Sequence, residues 1–401
     1  RLFRGTRKRV LNRIGVAWII VGLVIAVEGS LDLRSLNLIR SDFLAFAPIS
    51  NSDYEVNLIR QLDHKRTLID TMESEVTAYL SPPVPLPWLG VPSDQSTVEK
   101  MKGEWADKAK RILTLLDEQH LDSIRAAKTE YRLALDLESE RLLTDPALNP
   151  QRNSAFSKLG QAIKNTMDRI NVVRAIEDKR PLREILEMPN PFGEGSSYAL
   201  TRDDPEVAGQ VFTAFVYTKI WDQYSSDPGS LAERRDYWSA SFKNLVSGID
   251  PKLTWLLYLA NDEIEKIKPE LNSADLWAET PPPLSATVQP VWSDEGVGFI
   301  TDFFSQIRRT GTTGVWVDDA ESEIQKDFFN RRVLIWTEYA ETVLLGNSQL
   351  DNRQMAQESV IQMASARRNP YRSALRIMAE ENQESFFPGE RPDWINLALF
   401  H

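Results

Sequence analysis

The sequence contains no cysteine and only three histidines, at positions 64, 120 and 401. The first absence excludes disulfides, thiolate nucleophiles and cysteine-ligated metals, and leaves the redox compartment open. Three histidines so far apart in sequence argue against a histidine-rich metal centre. The common catalytic signatures are missing too. No G-x-x-x-x-G-K-[ST] stretch offers a phosphate cradle, no H-E-x-x-H pair offers zinc ligands, and no G-x-S-x-G presents a nucleophilic serine. Gly296 and Gly298 in "EGVGF" form a lone G-x-G with no strand before it, too little to hold a dinucleotide. Alternating apolar and polar residues, the mark of half-buried strands, are scarce.

Positive charge is short as well, except at one end. The net charge is −11, yet residues 1–13 hold six basic side chains (Arg1, Arg4, Arg7, Lys8, Arg9 and Arg13) and no acidic one. Removing those six from −11 leaves −17 on the remaining 388 residues. A body this acidic offers little to phosphates, so no nucleic-acid partner is expected. The small clusters Arg331–Arg332 and Arg367–Arg368 read as solvated helix faces. The length, 401 residues, is enough for two or three domains.

Behind the basic flank lies an uncharged apolar run from Ile14 to Val27, ended by Glu28. As a helix it extends about 21 Å, the length of a signal-peptide core, but no small-x-small cleavage pattern follows in "IAVEGSLDL". With Arg13 snorkelling at one end and Glu28 near the opposite interface, a span from Val10 to Leu31 crosses the ~30 Å hydrocarbon core. A transmembrane anchor carried by Ile14, Val16, Trp18, Ile19, Ile20, Leu23 and Ile25 is therefore expected; a buried core helix is the alternative. The positive-inside rule then makes residues 1–31 a cytoplasmic flank plus anchor and puts the acidic body in the periplasm. We expect the chain to be part of a longer polypeptide.

The rest reads as mostly α. Leu58, Leu62, Leu68, Met72 and Val76 leave a broken stripe before the Pro-rich "SPPVPLPWLGVP" at 81–92. Ser96 and Glu99 form a candidate capping box for a long helix over 97–143, with Val98, Met101, Trp105, Ile112, Leu116, Ile124, Ala127, Tyr131, Leu135 and Leu142 on its apolar face. Phe156, Leu159, Ile163, Met167, Ile170 and Val173 predict a second helix packed antiparallel to it. Residues 181–205 read as a loop in which Asp204 caps a helix opened by Pro205, with core candidates Val211, Phe215 and Trp221. Further helices are expected at 230–247 and 251–268, and "ETPPPLSATVQP" at 279–290 is the stronger linker candidate. Ser293 is expected to cap the next helix, and Asp318 or Asp319 the one carrying Ile324, Phe328, Ile335, Tyr339 and Val343 up to Gly346. Asn369 and Pro370 supply a cap and first-turn proline for the last. This gives an elongated helical region over 32–278 with long paired helices, and a C-terminal helical domain over 291–401.

Carboxylates pair at Asp203–Asp204, Asp318–Asp319 and Glu380–Glu381, at helix starts or on polar faces, where capping and solvation account for them. The eleven tryptophans are dispersed, as core and interface anchors are, and do not form one aromatic cage. No catalytic, cofactor-binding or metal-ligating residue is expected, and we do not expect an enzyme.

Three segments carry a resemblance: "VQPVWSDEGVGFITDFFSQI" (288–307), "FFNRRVLIWTEYAETVLLG" (328–346) and "MAQESVIQMASARRNPYRSALRIMAEENQES" (355–385). In order and spacing they resemble the periplasmic part of the IcmF/TssM family, inner-membrane proteins of bacterial type VI secretion with relatives in type IVB secretion. The arginine-rich flank and apolar span are similar to the membrane segment before that region. The resemblance implies a single-pass structural subunit of an envelope-spanning complex, with no cofactor. It also implies a DotU/TssL-type inner-membrane partner and self-association into a ring. Contact with an outer-membrane lipoprotein is expected only through regions beyond this chain. Exposed members of the C-terminal helices near Trp336, Tyr339 and Tyr371 mark the candidate interface; ordinary core aromatics are the alternative reading of these three. The competing expectation is a membrane-anchored periplasmic sensor or enzyme that binds a ligand in an acidic cleft.

Overall fold

The computed structural model describes residues 54–80, 92–144, 147–149, 153–192, 204–224, 229–250, 252–277, 285–311, 315–346, 353–365 and 368–382. The expected anchor, with Ile14 through Ile25, lies outside the described residues. Among the described residues the fold is mostly α, as the periodicity predicts, and no helix is long and apolar enough to cross a membrane. The helices are α1 (Tyr54–Leu80), α2 (Pro92–Thr144), α3 (Asn153–Glu177), α4 (Leu182–Leu186), α5 (Pro205–Tyr224), α6 (Gly229–Ile249) and α7 (Thr254–Glu265). They continue with α8 (Asp294–Arg309), α9 (Val315–Leu345), α10 (Arg353–Ala364) and α11 (Pro370–Glu380).

The chain divides into two compact units, one from residues 1–114 and 213–221, the other from 115–212 and 222–401. In the first, Ile59, Leu62, Ile69 and Met72 of α1 and Val98, Met101, Trp105 and Ile112 of α2 are buried. Trp105 ties the two helices, its indole N–H donating to the Leu62 carbonyl at 2.7 Å. Its ring meets Trp221 of α5 edge-on, with centroids 4.7 Å apart. Arg66 bridges Asp63 and Asp70 and donates to the Tyr217 hydroxyl at 3.2 Å.

Helix α2 is a single 53-residue element, longer than the capping box at Ser96 and Glu99 predicts. It starts at Pro92, whose fixed φ and missing N–H suit a first helical turn, so Ser96 and Glu99 lie inside it. In the second unit its later part runs antiparallel to α3, as expected. Asp117 pairs with Arg169, His120 with Thr166, and Glu130 with Lys158, so partner numbers fall as α2 numbers rise. Phe156, Leu159, Ile163, Met167, Ile170 and Val173 are all buried. Helix α3 also packs closely on α7, because a Cβ on Gly160 would sit 2.8 Å from the Leu259 Cβ.

The turn into α7 is held by one carboxylate. Asp250 accepts the backbone N–H of Lys252 at 3.0 Å and of Thr254 at 2.6 Å, and the Tyr131 hydroxyl at 2.6 Å. This fixes Leu253, which adopts a left-handed φ of 49° with its side chain buried. Burial, then the Asp250 carboxylate, push the Tyr131 phenol upward, so it stays a donor.

Two short strands, β1 (Leu271–Asn272) and β2 (Thr287–Val288), pair antiparallel with Leu271 opposite Val288. Single 3-10 turns follow each, at Ser273–Trp277 and Pro290–Trp292. Strand β2 lies in the Pro-rich stretch at 279–290, of which residues 279–284 lie outside the described residues. Gly296 permits the next approach: a Cβ there would run into the Val291 carbonyl. Helix α8 then buries Val297, Ile300, Phe303, Phe304 and Ile307.

Several local readings need correction. Residues 182–186 form the short helix α4 inside the expected loop. Ser293 takes the N-cap position of α8 as expected, but its side chain makes no capping hydrogen bond; its hydroxyl donates to the Pro290 carbonyl at 2.7 Å. Helix α9 begins at Val315, so Asp318 and Asp319 lie in its first turns; Asp318 accepts from Arg308 at 3.0 Å. Asp204 and Asn369 cap as predicted, accepting from Val207 and Arg372 at 3.1 Å each.

Candidate interaction surface

The buried faces of these helices carry charged and polar residues in register with the apolar stripe. On α2, His120 stands between Leu116 and Ile124; on α3, Arg169 stands between Ala162 and Ile176; on α9, Arg332 stands between Phe328 and Ile335. All three are buried. Arg332 corrects the expectation that Arg331–Arg332 is a solvated face. Arg331 beside it is part-buried and pairs with Asp327 at 2.6 Å.

Arg332 is the hub of the C-terminal packing. Its Nε donates to the Trp292 carbonyl at 3.0 Å, and its Nη2 donates to Asp294 at 2.6 Å and to the Glu381 carbonyl. Trp336, one turn further on, donates its indole N–H to the same Trp292 carbonyl at 3.0 Å. Beside this clamp Lys268 bridges Glu295 at 2.7 Å and Glu381 at 2.5 Å. Burial raises the Glu381 carboxyl, while Lys268 works against that rise.

Arg169 forms the second buried cluster. Its Nη1 meets Asp117 at 2.5 Å, and its guanidinium lies 4.6 Å from the Phe192 ring centroid and 5.4 Å from that of Trp238. His120 packs against Trp238, and its Nε2 lies 2.8 Å from the Thr166 hydroxyl oxygen. That hydroxyl spends its hydrogen on the Ala162 carbonyl at 2.8 Å, so Nε2 must carry the proton. Burial, then the Arg169 charge, lower the His120 pKa well below the ordinary value. His120 should therefore remain a neutral Nε2–H imidazole through the ordinary histidine titration range, about pH 6 to 7. Nitrogen NMR chemical shifts that titrate within that window would refute this assignment.

The remaining groups are used structurally. Glu380 faces Arg376 across a turn at 3.9 Å, and Glu381 holds Lys268. Among the described residues, no group of three His, Asp or Glu side chains is placed to hold a metal. A cleft of about 160 Å³ lies beside Tyr258, lined in part by Asn153, Asn261, Glu265 and Gln289. The Gln289 amide both accepts from and donates to the Leu148 backbone, and the Tyr258 hydroxyl accepts the Asn149 N–H at 3.0 Å. Those groups hold a loop, and the volume is below the ~300 Å³ at which small-molecule pockets usually start. The acidic pairs picked out in the sequence do not line it.

What the second unit does present is apolar surface. Leu334, Leu344 and Leu345 on α9 are 58%, 65% and 53% exposed, and Val360 and Ile361 on α10 are 57% and 70% exposed. Both helices approach the Ser273–Trp277 turn. Gly346, directly after Leu345, abuts the Trp277 indole, and the Gln362 side chain donates to the Leu276 carbonyl at 2.8 Å. These exposed side chains lie near the aromatic residues that mark the candidate interface in the sequence. Trp336 and Tyr339 are 0% and 1% exposed and belong to the core face of α9, opposite Leu334. Tyr371 is part-buried and packs edge-on against Trp277, with centroids 5.7 Å apart. The structure brings Tyr371, Trp277 and the end of α9 together, but it leaves neighbours of the predicted residues, not those residues themselves, on the outside.

The chain matches no protein-family model, no curated protein and no solved structure.

Proposed function

We propose that the chain is a structural subunit of an envelope-spanning bacterial secretion complex, the periplasmic part of an IcmF/TssM-like protein of type VI or type IVB systems. In this reading residues 10–31 cross the inner membrane, the basic flank stays in the cytoplasm and the acidic helical body works in the periplasm. The observation that carries it is the set of large apolar side chains exposed on α9 and α10. Exposed leucine, valine and isoleucine on a helical body held by internal clamps mark a place where another protein packs. The choice of system rests on the sequence resemblance of residues 288–307, 328–346 and 355–385, a stretch that includes the exposed side chains of α9 and α10. A DotU/TssL-type membrane protein and further copies of the chain in a ring are the partners proposed.

The test is topology and assembly of the native membrane protein. With a tag after His401, external protease acting on intact spheroplasts should remove the tag without lysis, and the detergent-purified protein should be oligomeric. A tag protected until lysis would overturn the reading, as would a strictly monomeric particle.

A further inference from the structure

Helix α9 has two faces of different chemistry. Val317, Ile324, Phe328, Ile335, Trp336, Tyr339 and Val343 are buried on one. The other is an outward line at three- and four-residue steps or their sums: Asp319, Glu323, Asn330, Leu334, Glu338, Glu341 and Leu345, all exposed. Leu334 and Leu345 are eleven residues apart, so at about 100° and 1.5 Å per residue they align within about 20° and lie about 16 Å apart along the axis. Glu338 and Glu341 fall between them on the same face. Leu344 adds apolar surface to one side.

The charge on this face is one-sided. Helix α9 contains seven acidic and three basic residues. Of the three, Arg332 is buried in the core and Arg331 is tied to Asp327, which leaves Lys326 as the exposed one. A second copy of the same face would set carboxylate against carboxylate, and so would an anionic membrane surface. Acidic groups on an outward helix face are ordinarily solvated; here they alternate with leucines that water solvates poorly, and that combination selects a partner.

Resting on the scaffold reading above, we propose that the outward face of α9 from Leu334 to Leu345 docks a basic amphipathic helix of another protein, its apolar stripe covering Leu334, Leu344 and Leu345 and its lysines or arginines meeting Glu338 and Glu341. Such a helix lies along an exposed helix face through contacts spaced at three and four residues, and the charges fix its choice over acidic competitors.

The test uses the full chain in detergent and two labelled synthetic helical peptides with the same leucine stripe, one flanked by lysine and one by glutamate. Fluorescence anisotropy should show the lysine-flanked peptide binding at least about tenfold more tightly, the sum of several exposed ion pairs, with the margin shrinking at high salt. Leu334→Ser with Leu344→Ser should weaken binding of both peptides. Glu338→Lys with Glu341→Lys should invert the preference, an outcome that a misfolded chain cannot give. Equal binding of the two peptides overturns the proposal, and so does a preference that survives the charge reversal. Self-association through this face, lost in the leucine double variant, overturns it in favour of a second copy. The spheroplast experiment reports on the membrane topology alone, so a failed topology with an intact peptide preference removes the secretion reading and leaves this surface standing.

Discussion

Replacing Arg332 by methionine should cost the second unit about 3–5 kcal/mol, the range for removing one partner of a buried ion pair. At about 2 °C per kcal/mol for a unit of this size, that is a fall in melting temperature of about 6–10 °C. Three elements converge on this guanidinium: the 3-10 turn at Pro290–Trp292, the first residue of α8, and the end of α11. Methionine fills much of the volume but removes the hydrogen bonds that Arg332 gives to the Asp294 carboxylate and the Glu381 carbonyl. The Trp292 carbonyl keeps one donor, the Trp336 indole. Trp336→Phe alone should cost less, because Arg332 then retains that carbonyl. The double variant should lose more than the two singles added together, by about 1–3 kcal/mol, since only then is the buried carbonyl orphaned. Denaturant unfolding of the four proteins measures this coupling. Strict additivity would mean that the shared carbonyl is satisfied by water, and the clamp would lose its energetic meaning.

The same residue shows how far the sequence can be read. The 3.6-residue period places the long helices and picks out their buried faces, because amphipathic burial writes itself into spacing. Asp204 and Asn369 are legible because a cap is chosen by its nearest neighbours. The 3-10 turns, the two-residue strands and α4 are not, since elements of five residues or fewer hold no periodicity to detect. Ser293 takes the N-cap position without a side-chain cap, and its hydroxyl hydrogen goes back to the Pro290 carbonyl, a contact that spacing does not show.

The candidate surface is half legible. The C-terminal helices carry exposed leucines near the expected positions, while Trp336 and Tyr339 themselves are buried, because aromatic side chains fill cores before they line surfaces. The informative residues are the leucines out of register with the stripe, Leu334 and Leu344, and the charged residue in register with it, Arg332. His120 and Arg169 can be found in the same way, as polar residues at stripe positions. Their partners, Thr166 and Asp117, lie 46 and 52 residues away and no local pattern names them. Spacing reveals a face; it does not reveal what the face meets.

Asp168 makes the second unit less stable as the solution turns from acid to neutral. This α3 carboxyl is 3% exposed, and burial raises its pKa to about 7, with Lys164 opposing the rise and Glu263 adding to it. Lys164 and Glu263 pair with each other at 3.3 Å, so they offer Asp168 little net compensation. In the unfolded chain the group titrates at about 3.9. Between about pH 4 and 7 the folded state therefore binds the proton and the unfolded state does not. Its stabilisation is complete below about pH 4 and is lost as pH rises through about 7. Each tenfold gain in proton affinity on folding is worth about 1.4 kcal/mol, which sets a ceiling of about 4 kcal/mol. About 2–3 kcal/mol is expected once water penetration is allowed for. Asp168→Asn keeps the shape and removes the titration. Asp262 and Glu381, also raised by burial, and Glu295, which is lowered, stay in both proteins and cancel in the comparison. The stability of the asparagine variant minus that of the native chain should be near zero or slightly negative at about pH 4. It should climb through about pH 5–7 and level off above about pH 8, with the variant the more stable. A difference curve that stays flat across this range would mean that Asp168 is charged in the folded state, with a cation or water reaching it through the α3–α7 contact.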